Sequence, residues 1–234
     1  PVVCEKNYYK PKVARQEIIF GYIGRAVDWK IYPLKKLIRD LSMINGNFKV
    51  LIFTNSEKEF DKKLVDKSNV TIEYKIGISG KEMKSALLNE IHIGYSMGAS
   101  ALEFASIGIP VLQADFHNTD FPSNYKYRFV YDPINISLGM DLKALKESGI
   151  SNTGASLSTI ITNLDLIDSS NRSFSFCIKK HSVEVVSKNL LIAAKGTRLK
   201  ASVLHSGVYK FYGSYYRIKK MLNKNPLFHG WSVK

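Results

Sequence analysis

Cysteine is scarce in this chain: Cys4 and Cys177 are the two in 234 residues. That is too few for a disulfide framework, and neither stands in a metal-ligand spacing, so a reducing compartment is expected. Long apolar runs are missing as well. No stretch approaches the ~20 apolar residues of a membrane-spanning helix, and the opening "PVVCEKNYYKPK" lacks the apolar stretch of a signal peptide. The expected location is the cytoplasm. No internal repeat is present. Acidic residues are lacking in one region above all. From Asn171 to Lys234 there are ten lysines and three arginines against Glu184 alone, so about +12 of the net charge of +14 lies in the last quarter. The rest is an ordinary near-neutral body, and what the basic tail binds need not be what the body binds.

With 45% hydrophobic residues the chain has enough apolar material for one real core and an appended lobe. It opens on proline, and residues 1–16 read as polar linker, so a piece of a longer protein is expected. The body alternates strand and helix signals. "EIIFGYIG" (Glu17 to Gly24) is a short apolar run ending in glycine, as a buried parallel strand reads. Leu34, Leu37, Ile38 and Leu41 recur at helical spacing, with Pro33 near the expected helix start. Strands follow at Phe48 to Asn55, Val70 to Ile76, Ile91 to Ser96 and Ile109 to Asp115, with helices at Lys58 to Lys67, Lys81 to Asn89 and Ser100 to Gly108. This order predicts a doubly wound α/β domain with a parallel sheet covered on both faces. Beyond Asp132 two helices are expected, at Leu157 to Leu166 and at Ser173 to Ala194, the second broken near His181.

Ligands of open α/β sheets bind beyond the carboxyl ends of the strands, so the loops there are the places to search. In "GYIGRAVDWK", Gly21 and Gly24 permit close backbone approach, and Arg25 and Lys30 add two positive charges. A diphosphate suits them, though ordinary surface charges would read alike. In "YSMGASALEFASIGIP" the small residues Gly98, Ala99 and Ser100 open a helix, where N–H groups and dipole favour an anion. Glu103, expected in the first turn, could equally complete a capping box with Ser100.

Taken together, "GRAVDWK" and "SMGASALEFASIGIPVL", about 70 residues apart, resemble the nucleotide-binding C-terminal domain of group 1 glycosyltransferases, which have the two-domain GT-B fold. The likeness runs from Ile18 to about Asp115 and, more loosely, through helices to about Arg198. It implies that Arg25 and Lys30 clamp the donor diphosphate and stabilise the leaving group. Gly24 and the stretch Met97, Gly98, Ala99 and Ser100 would line the phosphates, and Glu103 would accept from the ribose hydroxyls. Ile76, Gly77 and Ile78 would meet the nucleobase. A UDP- or GDP-sugar is the implied substrate, with no metal and no other cofactor. Domains follow from it: a linker remnant at 1–16, a donor-binding domain at 17–198 and a helical basic aromatic extension at 199–234. The acceptor, a glycan or lipid-linked molecule, would sit on an N-terminal domain outside this sequence, without which the chain would be inactive or nearly so.

One departure stands out. The family places a glutamate eight residues before the second one, and here that position is Tyr95, so Tyr95 becomes the candidate sugar contact while the sugar and the retaining outcome are left open. A lesser one is Ile31, where glycine is usual. His92 reads as a packed residue rather than a base. In "DFHNTDFP", His117, Asn118 and Asp120 are candidates for acceptor or sugar contacts, or form an ordinary polar turn, and Asp28 reads as a helix-start charge. His181, His205 and His229 are scattered. The tail "YKFYGSYYRIKKMLNKNPLFHGW" suits an anionic membrane surface, or packing on the missing domain. The competing functions are a sugar-nucleotide epimerase and a non-catalytic basic module that binds nucleic acid through this tail.

Overall fold

In the computed structural model of the chain the described residues are 2–4, 9, 17–25, 28–56, 60, 64, 67–132, 138–147 and 153–196. Among them the elements follow in the order β1 (Glu17–Ile23), α1 (Asp28–Leu41), β2 (Asn47–Thr54), β3 (Val70–Ile76), α2 (Gly80–Glu90), β4 (Ile93–Ser96), α3 (Ala99–Ser106), β5 (Val111–Gln113), α4 (Leu142–Glu147), α5 (Leu157–Thr162), α6 (Leu166–His181) and α7 (Val183–Gly196). The strands pair in parallel in the order β3-β2-β1-β4-β5. The doubly wound α/β architecture read from the alternation is therefore the observed one. Two compact units divide the chain after Val186; the first holds the whole sheet, and the second is described only over the later part of α7. No described helix is long and apolar enough to cross a membrane.

Alternation along each strand sorts side chains onto two cores. Phe20 and Tyr22 of β1, Phe48, Val50 and Ile52 of β2, and Ile93 and Tyr95 of β4 join one core, completed by Leu34, Leu37, Ile38 and Leu41 of α1. Leu51 and Phe53 of β2 and Val111 of β5 join the other, under Leu87 of α2, Leu102 and Phe104 of α3, and Cys177 of α6. Each buried Leu, Ile or Phe stabilises the fold by roughly 1.5–3 kcal/mol, which makes α1 and α3 fixed supports for what their first turns carry.

Several boundaries differ from those the sequence suggests. α1 starts at Asp28, so Pro33 is an interior residue rather than one near the start. Its missing N–H would have reached the Trp29 carbonyl, a loss that the four buried apolar residues of the same helix outweigh. α5 stops at Thr162 because the next helix has its own cap: Asp165 Oδ1 accepts from Ile167 N at 2.9 Å and Asp168 N at 3.0 Å. The expected break near His181 falls at Ser182, between α6 and α7. α4 was not legible in the pattern. The helix expected over 58–67 falls mostly outside the described residues.

Of the first sixteen residues, Val2, Cys4 and Tyr9 pack on the domain. Val2 N donates to the His181 carbonyl at 3.0 Å and Val183 N to the Val2 carbonyl at 3.2 Å. The buried Tyr9 hydroxyl donates to the His92 carbonyl at 3.0 Å. This brings the two cysteines together: both are free thiols, with Cys4 Sγ 3.4 Å from Cys177 Sγ. His92 is indeed a packed residue, its Nδ1 accepting from Ile19 N at 3.0 Å.

α3 reaches its place through a glycine. A Cβ on Gly94 would lie 2.7 Å from Phe104 Cγ and 2.8 Å from its Cδ2, and Phe104 is wholly buried. Gly94→Ala is expected to destabilise the domain by about 1–3 kcal/mol, through overpacking that pushes α3 off the sheet. Urea denaturation measures it, and a Phe104→Leu change in the same chain should recover part of the loss.

Candidate functional site

The strand order reverses between β1 and β4, the position where open α/β sheets hold ligands. Here the two strands pair only at Phe20 with Ile93 and Gly21 with Gly94, and then part. The wholly buried Ser96 spans the opening: its Oγ accepts from Ile23 N and donates to the Ile23 carbonyl, both at 3.3 Å. Beyond Ile23 and Ser96 the chain leaves the sheet in the loop after β1 and the loop after β4, which flank this switch point.

On the β1 side, Gly24 N donates to the Phe53 carbonyl at 3.1 Å, which ties the loop to β2. A Cβ on Gly24 would lie 2.9 Å from the Tyr22 ring, and the Tyr22 hydroxyl donates to the Lys30 carbonyl at 3.4 Å. Tyr22 is therefore a post between Gly24 and the first turn of α1. Burial raises its phenol well above the ordinary range, so it stays neutral. Arg25 is exposed and Lys30 half-buried. Burial lowers the Lys30 pKa and the Arg25 charge lowers it further. An anion near these two cations would relieve their repulsion. Asp28 opens α1, and Lys30 Nζ lies 5.1 Å from the Trp29 ring centroid.

On the β4 side, Gly98 is the N-cap of α3, with φ +59° and open space where a Cβ would be. Glycine takes that backbone at little cost, and no side chain caps the helix. Its first N–H groups, from Ala99 onward, are of the kind that satisfy an anion. The half-buried Met97 packs against the α1-side core. Two expectations are corrected here. Ser100 is the second residue of α3 and not its cap, and Glu103 is the fifth and not in the first turn. The two therefore make no capping box. Burial raises the Glu103 pKa, and its buried Oε2 has no hydrogen-bond partner among the described residues.

The expected base-contacting loop follows β3, two strands from β1 and about 10 Å away at the same edge of the sheet. Ile76 is exposed, Gly77 has φ +69° with its N–H on the Thr54 carbonyl at 3.0 Å, and Ile78 is half-buried. Tyr95 is not displayed at the strand end. It is wholly buried in the α1-side core, its ring centroid 6.0 Å from that of Tyr127, and its hydroxyl has no partner among the described residues. A sugar would meet it only after that core opened. His117 is half-buried, and Asn118 and Asp120 are exposed. Among the described residues no group of three or more His, Cys, Asp or Glu is placed to hold a metal. His205, His229 and the extension at 199–234 lie outside the described residues.

Three contributors had no sequence signal. A strap at 138–140 supports the loops after β4 and β5: the Leu138 carbonyl accepts from Gly98 N at 2.6 Å, and the Met140 carbonyl from Phe116 N at 2.9 Å. Asp115, wholly buried just past β5, holds that strap by accepting from Met140 N at 3.1 Å. It also accepts from Tyr125 Oη at 2.8 Å, Gln113 Nε2 at 3.3 Å and Arg128 Nη2. Trp29 meets Phe116 edge-on at 5.4 Å, bridging the start of α1 and the loop after β5.

No protein-family model matches the chain, and no curated protein sequence matches it. Among solved structures it is similar to the apo form of a lipopolysaccharide outer core galactosyltransferase, WaaB, with a TM-score of 0.51 and 13% identity over 83% of this chain and 54% of that one. MurG of Acinetobacter baumannii matches with a TM-score of 0.40 and 12% identity over 72% of this chain and 47% of that one. The chain thus spans about half the length of the solved structures it matches. What it shares with WaaB is the fold, a parallel Rossmann-like sheet as found in GT-B glycosyltransferases.

Proposed function

We propose that this chain is the donor-binding part of a glycosyltransferase and holds a UDP- or GDP-sugar at the carboxyl edge of its sheet. One observation carries the proposal. Glu103 leaves a buried carboxylate oxygen without a partner among the described residues, on the very helix whose uncapped start follows β4 at the switch point. A carboxylate buried for stability would be paired; one kept for a ligand's hydroxyl groups is not. On this proposal Glu103 accepts from the ribose, the first N–H groups of α3 take one side of the diphosphate, and Arg25 and Lys30 take the other. As the glycosidic bond breaks, negative charge grows on the leaving diphosphate. Fixed cations stabilise it there without a divalent metal. The acceptor requires a second domain, so the chain alone should bind donor without transferring the sugar.

The test is calorimetry with UDP and GDP on the chain and on Glu103→Gln. The variant is expected to lose about tenfold or more in nucleoside diphosphate affinity, the contribution of a hydrogen bond to a charged acceptor. It should also be more stable than the parent at neutral pH. The sign follows from burial: a carboxyl whose folded pKa is raised favours folding below the ordinary glutamate range, and that contribution is lost as pH rises through the raised value. Glutamine has no charge to bury, so the stability difference should grow with pH across that window. A cap or a packing residue would lose stability on replacement instead. Nucleotide binding unchanged in the variant would overturn the assignment, and salt-dependent nucleic-acid binding without nucleotide affinity would favour the basic-module alternative.

The composition of the basic aromatic tail supports peripheral attachment to an anionic membrane, the place where lipid-linked acceptors are found. Removing residues 208–234 should abolish sedimentation with anionic vesicles. Undiminished sedimentation would leave the tail without that role.

A further inference from the structure

The outer stripe of α1 forms the floor of a second cavity, of about 320 Å³, which the proposed donor site does not use. Tyr32, Lys35, Lys36 and Arg39 recur at i, i+3, i+4 and i+7, one face of the helix. Leu64 and Lys67 of the β2–β3 connection form one wall, and Asp120 and Phe121 of the loop after β5 the other. The side chains of Arg25 and Lys30 are not among its lining residues, and Arg39 lies about 13 Å farther along the helix than Lys30.

Four cations and one acid line this cavity. Lys36 is spent on structure: its ammonium is 2.7 Å from both Asp40 oxygens and 3.2 Å from the Ser123 carbonyl, so all three donors are engaged. The other three have donors left. Arg39 gives one N–H, from Nη2, to the Phe121 carbonyl at 3.2 Å, which fixes the guanidinium against the wall. Exposed Lys35 lies with Nζ 5.6 Å from the Tyr32 ring centroid. Exposed Lys67 stands on rigid backbone, for its N–H and carbonyl exchange hydrogen bonds of 3.0 and 3.1 Å with Val70. Beneath them Ile38, Leu64 and Phe121 offer an apolar bed.

We propose that this cavity is a second ligand site, for a small phosphate monoester with a planar or apolar body. A rim of three cations against Asp120 favours a group with more than one negative charge, as a monoester carries near pH 7 and a carboxylate does not. The apolar floor takes the body, and the volume is at the low end of the range for small-molecule sites. The site is separate from the proposed donor site, so either can fail without the other.

Phenyl phosphate serves as the probe, with phenol and inorganic phosphate as controls, in an amide-resolved NMR titration of the full chain. Saturable shifts are expected at Tyr32, Lys35, Arg39 and Lys67, weakened by salt and as pH falls below about 6, where the monoester loses its second charge. The Lys35→Ala/Lys67→Ala variant removes two exposed side chains and should weaken binding about tenfold with unchanged stability. Arg25→Ala/Lys30→Ala should leave it intact. The proposal is overturned by absence of saturation at millimolar phenyl phosphate, by equal binding in the Lys35/Lys67 variant, or by loss of binding in the Arg25/Lys30 variant, which would assign the probe to the proposed donor site.

Discussion

Asp115→Ala is expected to destabilise the domain by about 3–5 kcal/mol, because it leaves the Arg128 guanidinium buried without its partner. Domains of this size have only about 5–15 kcal/mol in hand, so the variant should lie near the limit of folding. The carboxylate is wholly buried and accepts from Gln113, Tyr125, Arg128 and Met140, so its loss strands several donors at once. The ion pair need not be the most stable filling of that space. Asp115→Leu/Arg128→Met, with no charge to strand, should recover much of the loss, and a double-mutant cycle by urea denaturation measures the coupling. What the apolar pair should not recover is ligand affinity. Asp115 holds Met140 in the strap, and the strap's Leu138 carbonyl holds Gly98 at the start of α3. A rescued double variant that bound nucleotide as well as the parent would show the strap to be irrelevant to the site.

The second large effect is expected at Arg25 and Lys30. Each charge-assisted hydrogen bond to a phosphate oxygen contributes roughly 1.5–3 kcal/mol, so Arg25→Ala/Lys30→Ala should weaken UDP or GDP binding by about two to four orders of magnitude. Arg25 is exposed, so the single Arg25→Ala variant should keep the parent's thermal stability, which separates lost binding from lost folding. Titration adds a signature. Lys30 has a lowered pKa from burial and from Arg25, and a bound diphosphate raises it again. Affinity should therefore fall as pH rises through the depressed lysine range, and binding there should take up protons, seen as a calorimetric enthalpy that changes with buffer. In Arg25→Ala that fall should move to higher pH, because one of the two causes of the lowering is gone. A pH profile that does not respond to Arg25 would separate the two cations and count against a shared diphosphate.

Much of the fold was legible in the chain. Short β-branched and aromatic runs ended by glycine or polar residues mark strands, and β3 falls at Val70–Ile76 as read. Period 3.6 placed the buried face of α1, and the regular alternation of elements required parallel pairing. The candidate site was legible as two loops, after β1 and after β4, because a parallel sheet brings every strand's carboxyl end to one edge. Misreadings arose where a local rule met a tertiary one. Pro33 was read as near the helix start, and α1 instead begins five residues earlier, at the Asp28 that reads as a helix-start charge. Ser100 and Glu103 had the spacing of a capping box, and the turn at Gly98 took the cap position from Ser100.

Sequence alone determined the five strands, their alternation with helices and therefore the parallel sheet and its carboxyl edge, since these follow from hydrophobic period and chain connectivity. It also placed two positive charges and a run of small residues in the loops at that edge. Only the tertiary structure decided which polar groups are spent and which are open. Burial is a property of packing, and partners such as Asp115 and Met140, Tyr127 and Asp40, or Ser96 and Ile23 are far apart along the chain. Asp115, just past β5, and Glu103, in α3, are both carboxylates, alike to any reading of residue types. One is encircled by donors and holds the fold, while the other keeps an oxygen without a partner among the described residues. That difference comes from what the folded chain brings around each side chain, and residue type does not carry it.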